Sequence, residues 1–176
     1  MPTPAKNALI TGCSTGIGRA TAEQLAASGW KVYATARRPD TIADLEAKGC
    51  VTLALDVTDE ASMRAAVDAV EAAEGSVGAL VNNAGYSQSG ALETLPMDAV
   101  RRQFETNVFG LLRMCQLVLP GMRTAGAGRI VNISSMAGLV GVYGYTAYSA
   151  AKFGLIGFSE SLRGELKPHG VNVSVL

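Results

Sequence analysis

Tyr148 and Lys152 stand four residues apart in a helical pattern over 148–166, which puts both on one helix face. A phenol titrates near pH ~10, and a cation within about 4–6 Å favours its ionised form by roughly 1–3 units. Such a pair suits general acid–base work on a carbonyl–alcohol couple. The same face continues through Leu155, Ser159, Leu162 and Leu166, so the ammonium sits on a largely apolar stripe. An aromatic–lysine pair at this spacing is also a frequent accident, and it needs companions. Ser134 and Ser135 follow an apolar run at 129–133, and Ser135 precedes Tyr148 by 13 residues. Asn107 falls beside the helical stripe of Phe104, Val108, Leu111, Leu112 and Cys115. A buried amide without partners costs a few kcal/mol; the plain reading of Asn107 alone is a structural amide satisfied by backbone.

A second group of residues could hold phosphate. Thr11-Gly12-Cys13-Ser14-Thr15-Gly16-Ile17-Gly18 follows a short apolar run. Glycines there allow positive φ and let a pyrophosphate approach the backbone at a helix start. The spacing is GxxxGxG, not GxGxxG, so strand before and helix after must carry the reading. The next run ends Thr35-Ala36-Arg37-Arg38, with no carboxylate until Asp40. An acid at that point binds a ribose 2′-hydroxyl, whereas guanidinium pairs with a 2′-phosphate. NADP(H) is therefore expected over NAD(H); the alternative is that both arginines are solvated loop charges. Asn82-Asn83-Ala84-Gly85 closes another run, and two amides at a strand end also serve as turn formers.

The elements that must position these residues alternate along the chain. Strands are expected at 8–11, 31–36, 51–55, 79–82, 129–133 and 171–176. Helices are expected after the glycine turn to about Ser28, at 41–48, after a Thr58 cap, from Pro96 to about Met122, and at 148–166. Alternation with nearly all-apolar strands predicts a doubly wound Rossmann-type parallel sheet with helices on both faces. With 176 residues, 48% apolar and 17% charged, the chain reads as one domain over 1–176. Fifteen basic and fifteen acidic side chains cancel, giving no footprint for nucleic acid or an anionic membrane. Three scattered cysteines and one histidine offer no disulfide framework and no metal site, and a cytoplasmic location fits. No signal peptide and no membrane span is expected. The apolar run at 171–176 would leave an open sheet edge, so further residues are expected beyond Leu176.

In order and in register, TGCSTGIG, NNAG, Asn107, Ser135 and Tyr148-x-x-x-Lys152 resemble the short-chain dehydrogenase/reductase family over nearly the whole chain. The resemblance implies that Tyr148 exchanges a proton with the substrate oxygen and that Lys152 assists it and meets the nicotinamide ribose. It implies that Ser135 holds the substrate oxygen and that Asn107 anchors a relay water. Gly12, Gly16 and Gly18, with Ser14, Thr15 and Ile17, would line the pyrophosphate. Arg37, beside Arg38, would meet the 2′-phosphate. Asp56 and Val57 would flank the adenine, and Asn83, Ala84 and Gly85 its ribose. Family members continue into a substrate lid and a last strand, which this sequence lacks. The expected activity is hydride transfer between NADP(H) and a small-molecule ketone or alcohol, in a homodimer or homotetramer. The rival is a dinucleotide-binding sensor or scaffold without turnover.

Overall fold

A computed structural model of the chain describes residues 2–176. Six strands, β1 (Asn7–Ile10), β2 (Lys31–Ala36), β3 (Cys50–Ala54), β4 (Ala79–Asn82), β5 (Gly128–Asn132) and β6 (Val171–Val175), form one sheet. Every neighbouring pair is parallel, and the spatial order is β3-β2-β1-β4-β5-β6. This is the order of the doubly wound dinucleotide-binding fold. The chain direction across the sheet reverses between β1 and β4, which opens a crevice at their carboxyl ends.

Strand periodicity sorts the apolar side chains into two cores. Leu9, Tyr33, Leu80 and Ile130 point to one face, where α2 (Glu60–Glu74), α4 (Gly110–Ala125) and α5 (Thr146–Leu166) cover them with Met63, Val67, Met114, Val118, Leu155 and Leu162. Ala8, Ile10, Val32, Ala34 and Val81 point to the other face. There α1 (Gly16–Ala27) and a 3-10 segment, Pro39–Lys48, supply Ala22, Ile42 and Leu45. β6 departs from the all-apolar expectation. Val171 and Val173 are buried, while Asn172 and Ser174 are exposed, so this strand is covered on one face only.

Local chemistry moves several boundaries. Asp59, not Thr58, caps α2: its carboxylate accepts the N–H groups of Ala61 at 2.9 Å and Ser62 at 3.2 Å. An anion at a helix start gains from the dipole as well as from the hydrogen bonds. Thr58 is spent in a turn, donating its N–H and hydroxyl to Asp56 Oδ1 at 2.9 and 2.8 Å. The helix expected from Pro96 to about Met122 is α3 (Met97–Phe104), a π turn at Glu105–Phe109, then α4. Pro96 is its cap residue, and the π turn carries Asn107 inward, where it is buried.

A chain of buried polar groups crosses the larger core behind the carboxyl ends of the strands. Asn82 Nδ2 donates to Asn132 Oδ1 at 3.0 Å and to Cys115 Sγ at 3.4 Å. Asn132 Nδ2 donates to Ser159 Oγ at 2.9 Å, and the Ser159 hydroxyl donates to Leu155 O at 2.7 Å. These bonds fasten α5 to β5 and β4. Replacing Asn132 by alanine leaves Asn82 and Ser159 without it in a dry site. The expected loss is about 2–3 kcal/mol of unfolding free energy in a urea titration, and a loss below about 0.5 kcal/mol would contradict the role assigned to this chain of bonds.

Candidate active site

The glycine turn between β1 and α1 is held to the end of β4 by a short set of bonds. The Thr11 hydroxyl accepts the N–H groups of Asn83 at 3.0 Å and Ala84 at 2.9 Å. Asn83 Nδ2 donates in return to Thr11 O and Gly12 O, both at 2.9 Å. Gly12 and Gly16 take φ of +74° and +61°, the left-handed region that favours glycine. A Cβ on Gly12 would stand 2.9 Å from Ala84 Cα, and one on Gly18 would stand 2.3 Å from Asn83 Nδ2 and 2.5 Å from Gly12 O. The turn is therefore packed shut on its inner side. Its outer side differs: Thr15 at the start of α1 makes no side-chain cap bond, and no acid occupies the first turn. Unlike α2 with its Asp59 cap, α1 keeps its first N–H groups free of any side-chain acceptor.

From this turn a cleft of about 830 Å³ runs along the carboxyl edge of the sheet to Tyr148 and Lys152. Gly12, Ser14, Thr15 and Ile17 line one end, with Arg37, Asp56 and Val57 beside them, and Asn83, Ala84 and Gly85 form the wall between the ends. Arg37 is exposed, and the ion pairs among the described residues use Arg19, Arg64, Arg101 and Arg113 instead. Gly16, Gly18, Arg38, Asn107 and Ser135 do not line the cleft. Arg38 serves through its backbone, its carbonyl accepting both the N–H and the hydroxyl of Thr41.

Lys152 is buried and donates to Ile133 O at 2.8 Å. Its Nζ lies 5.7 Å from the centre of the Tyr148 ring, which in turn meets the Tyr145 ring edge-on at 6.1 Å. Burial pulls the ammonium down to about 8. Ser134, the first of the serine pair, lines the cleft and donates to Lys152 O at 3.4 Å. Ser135 accepts the Ala137 N–H at 3.2 Å, which starts a short 3-10 turn, and its own hydroxyl proton has no acceptor among the described residues. The Asn107 amide is engaged at both ends by one backbone unit: Oδ1 accepts Tyr86 N–H at 3.0 Å, and Nδ2 donates to Tyr86 O at 2.7 Å. A Cβ on Gly85 would come within 2.9 Å of Asn107 Oδ1, so a glycine is needed for that approach.

Several participants were not singled out from the sequence. In the sequence Thr11 stands out only as part of the glycine turn, and its position as the last polar residue before the turn is the available signal. Arg102, Glu105 and Thr106 reach the cleft from the end of α3 and the π turn, and Tyr86 from the segment after NNAG. Nothing in their local pattern points there.

The family model described as short chain dehydrogenase matches residues 6–176. The chain belongs to the short-chain dehydrogenase family. A 3-ketodihydrosphingosine reductase of Bacteroides thetaiotaomicron is 42% identical over 169 residues, covering 96% of this chain and 61% of that protein. The 3-oxoacyl-[acyl-carrier-protein] reductase FabG of Escherichia coli is 40% identical over 174 residues, covering 97% of this chain and 71% of that protein. Among solved structures, a short-chain dehydrogenase from Streptomyces avermitilis superposes with a TM-score of 0.94 at 42% identity, over 99% of this chain and 65% of that one. A gluconate 5-dehydrogenase from Burkholderia cenocepacia, in complex with NADP and tartrate, gives 0.89 at 28% identity, over 96% and 69%. This short-chain dehydrogenase chain thus spans about three fifths to two thirds of the length of the first of these relatives. No helix among the described residues is long and apolar enough to cross a membrane.

The depressed Lys152 gives a signed pH effect in the ligand-free protein. Between about 8 and the ordinary 10.5 the unfolded chain keeps a proton that the folded chain has released, so this residue's contribution to stability rises with pH across that window. The buried thiols of Cys13 and Cys115, pushed up to about 12, act in the opposite sense above pH ~9, so the comparison is with a Lys152→Met variant. The difference in unfolding free energy, wild type minus variant, is expected to climb over that interval, and a flat or falling difference would contradict the burial argument.

Proposed function

We propose that this short-chain dehydrogenase transfers hydride between NADP(H) and a ketone or secondary alcohol, with Tyr148 exchanging the proton. The observation that carries the reading is one cleft joining two kinds of chemistry. One end has a closed glycine turn, an uncapped helix start and an unpaired Arg37; the other has Tyr148 beside a buried ammonium. The residues fit a phosphorylated dinucleotide. The α1 N–H groups and positive dipole end suit a pyrophosphate. Arg37 suits a 2′-phosphate through several charge-assisted bonds. Asp56 and Val57 line the cleft and would flank an adenine, and Asn83, Ala84 and Gly85 line it too and would meet its ribose. The named NADP complex of the gluconate dehydrogenase supports this choice of cofactor. When bound, the nicotinamide supplies or accepts the hydride.

The chain's own residues do the rest. In reduction, Tyr148 gives its phenolic proton to the substrate oxygen as the carbonyl carbon takes the hydride; in oxidation the proton returns. Lys152 has three N–H donors, and one goes to Ile133 O, which leaves others for ribose hydroxyls and for a developing phenolate. Ser135 is half-buried next to the cleft-lining Ser134; its oxygen takes the Ala137 N–H, and its proton is left to donate to a substrate oxygen that reaches past the cleft lining as charge develops there. Asn107 contributes by fixing the Tyr86 backbone at the cleft wall. Its amide makes one bond at each end there, which leaves a second N–H and a second oxygen lone pair to anchor a relay water. The family's oligomeric habit and a cytoplasmic location belong to the same proposal. Phe109 and Phe153, about half exposed, are side chains that a homodimer or homotetramer would cover, and three buried free cysteines suit a reducing compartment.

Tyr148→Phe removes the transferable proton and keeps the ring. Ketone reduction followed at the nicotinamide absorbance is expected to fall about 10²–10⁴-fold, with NADPH affinity changed less than about twofold. Undiminished turnover in the variant would overturn the assignment.

A further inference from the structure

We propose that Gln103 is a positioning residue for the reaction, fixing from inside α3 a stretch of cleft wall that Asn107 alone leaves free to turn; this rests on the hydride-transfer reading above. α3 buries two side chains, Ala99 and Gln103, and the second is polar. Gln103 is 0% exposed and does not line the cleft, so it touches no reacting group. Its Nε2 donates to Tyr86 O at 3.3 Å, the same oxygen that takes Asn107 Nδ2 at 2.7 Å. Its own oxygen, Oε1, has no hydrogen-bond partner among the described residues.

That arrangement is a poor way to stabilise a core. One long bond is gained, on an oxygen that Asn107 already serves, and one dry acceptor is left unpaired. An apolar side chain of similar length would avoid the unpaired acceptor and still leave Tyr86 O satisfied. What the glutamine adds is geometric. Asn107 grips Tyr86 through a pair of bonds, one from the Tyr86 N–H and one to its carbonyl. Two bonds between one amide and one residue define an axis about which the peptide can rock. The Gln103 bond comes from a separate donor one helical turn earlier, and it opposes that rocking.

The segment that carries Tyr86 needs such an anchor. Residues 83–89 form no regular secondary structure, yet Asn83, Ala84, Gly85, Tyr86 and Ser87 all line the cleft. Thr11 holds the N–H groups of Asn83 and Ala84 at one end, and Gly90 N–H bonds to Gly144 O at 2.9 Å at the other. Among the described residues, the main chain between Ala84 and Gly90 is hydrogen-bonded to other elements only at Tyr86, by Asn107 and Gln103. A wall that turns there moves Gly85 and Ser87 and displaces the spare donor and acceptor of Asn107. Small displacements of this kind are felt in turnover. Cofactor capture is affected less, because the proposed phosphate contacts lie at the other end of the cleft.

Gln103→Met keeps the length of the side chain and removes its amide. With NADPH and a ketone that the unaltered chain reduces, kcat is expected to fall about tenfold, with NADPH affinity within about twofold of the original. The urea midpoint of unfolding is expected to stay level or rise, which a merely structural glutamine would not allow. Deuterium exchange of the Tyr86 N–H, followed by NMR, is expected to quicken severalfold. Gln103→Glu tests the donor itself, because a protonated carboxyl can donate to Tyr86 O and an ionised one cannot. Burial raises the pKa of a carboxyl, so the ratio of variant to unaltered kcat is expected to climb as pH falls from about 9 to about 6. Unchanged kcat or a lowered midpoint with Gln103→Met, or a flat ratio with Gln103→Glu, overturns this inference and leaves hydride transfer standing. Quickened Tyr86 exchange in Gln103→Met, when the unaltered chain reduces no ketone with either nicotinamide cofactor, sustains the anchoring of the wall and overturns hydride transfer. Absent turnover together with unchanged exchange overturns both.

Discussion

The close approach of the glycine turn to the end of β4 is the constraint on which the site depends. Thr11 and Asn83 exchange four hydrogen bonds with backbone groups across the junction, and Gly12 and Gly18 remove the side chains that would hold the two segments apart. Parallel strands β1 and β4 are joined only through a long excursion of the chain, so nothing local brings these residues together. Once they meet, the start of α1 is aimed along the carboxyl edge with its N–H groups uncapped. The crevice that the strand order opens becomes a binding cleft because this junction closes its floor.

The far end of the cleft depends on α5, which must present Tyr148 and Lys152 at a defined depth and rotation. Two sets of contacts provide this. Asn132 bonds Ser159 from within the sheet, and Gly138 lets the preceding loop rest against the Lys152 carbonyl. A buried ammonium with one backbone acceptor is an unfavourable arrangement for an isolated domain. It is intelligible where a ligand brings further acceptors, and it accounts for the low basicity of Lys152. On the proposed reading, folding stability and cofactor capture are coupled through this one side chain.

Much of this was legible in the amino-acid order, for reasons that differ by level. The doubly wound sheet follows from apolar runs of strand length alternating with helical stripes, and its strands fall within a residue or so of where the pattern puts them. Tyr148, Lys152 and the glycine turn could be placed because spacing within one helix or one turn is a local property. The lock between Thr11 and Asn83 was not legible, because the partners lie 72 residues apart in sequence. The π turn was equally hidden: a single inserted residue leaves the apolar stripe of 104–115 nearly in phase while carrying Asn107 inward. Thr58 and Asp59 are both good cap residues, and only the competing turn at Asp56 decides between them. That Ser134 lines the cleft while Ser135 caps the next turn is settled by backbone geometry that residue type does not encode.

The central claim is that the closed glycine turn and the unpaired Arg37 together hold a dinucleotide carrying a 2′-phosphate. Calorimetric titration of NADPH and of NADH into the unaltered chain tests it without requiring any substrate. Guanidinium bonds to a phosphate are worth about 1.5–3 kcal/mol, so NADPH is expected to bind roughly 10–100-fold more tightly than NADH. Equal affinities, a preference for NADH, or no binding of either would contradict the account.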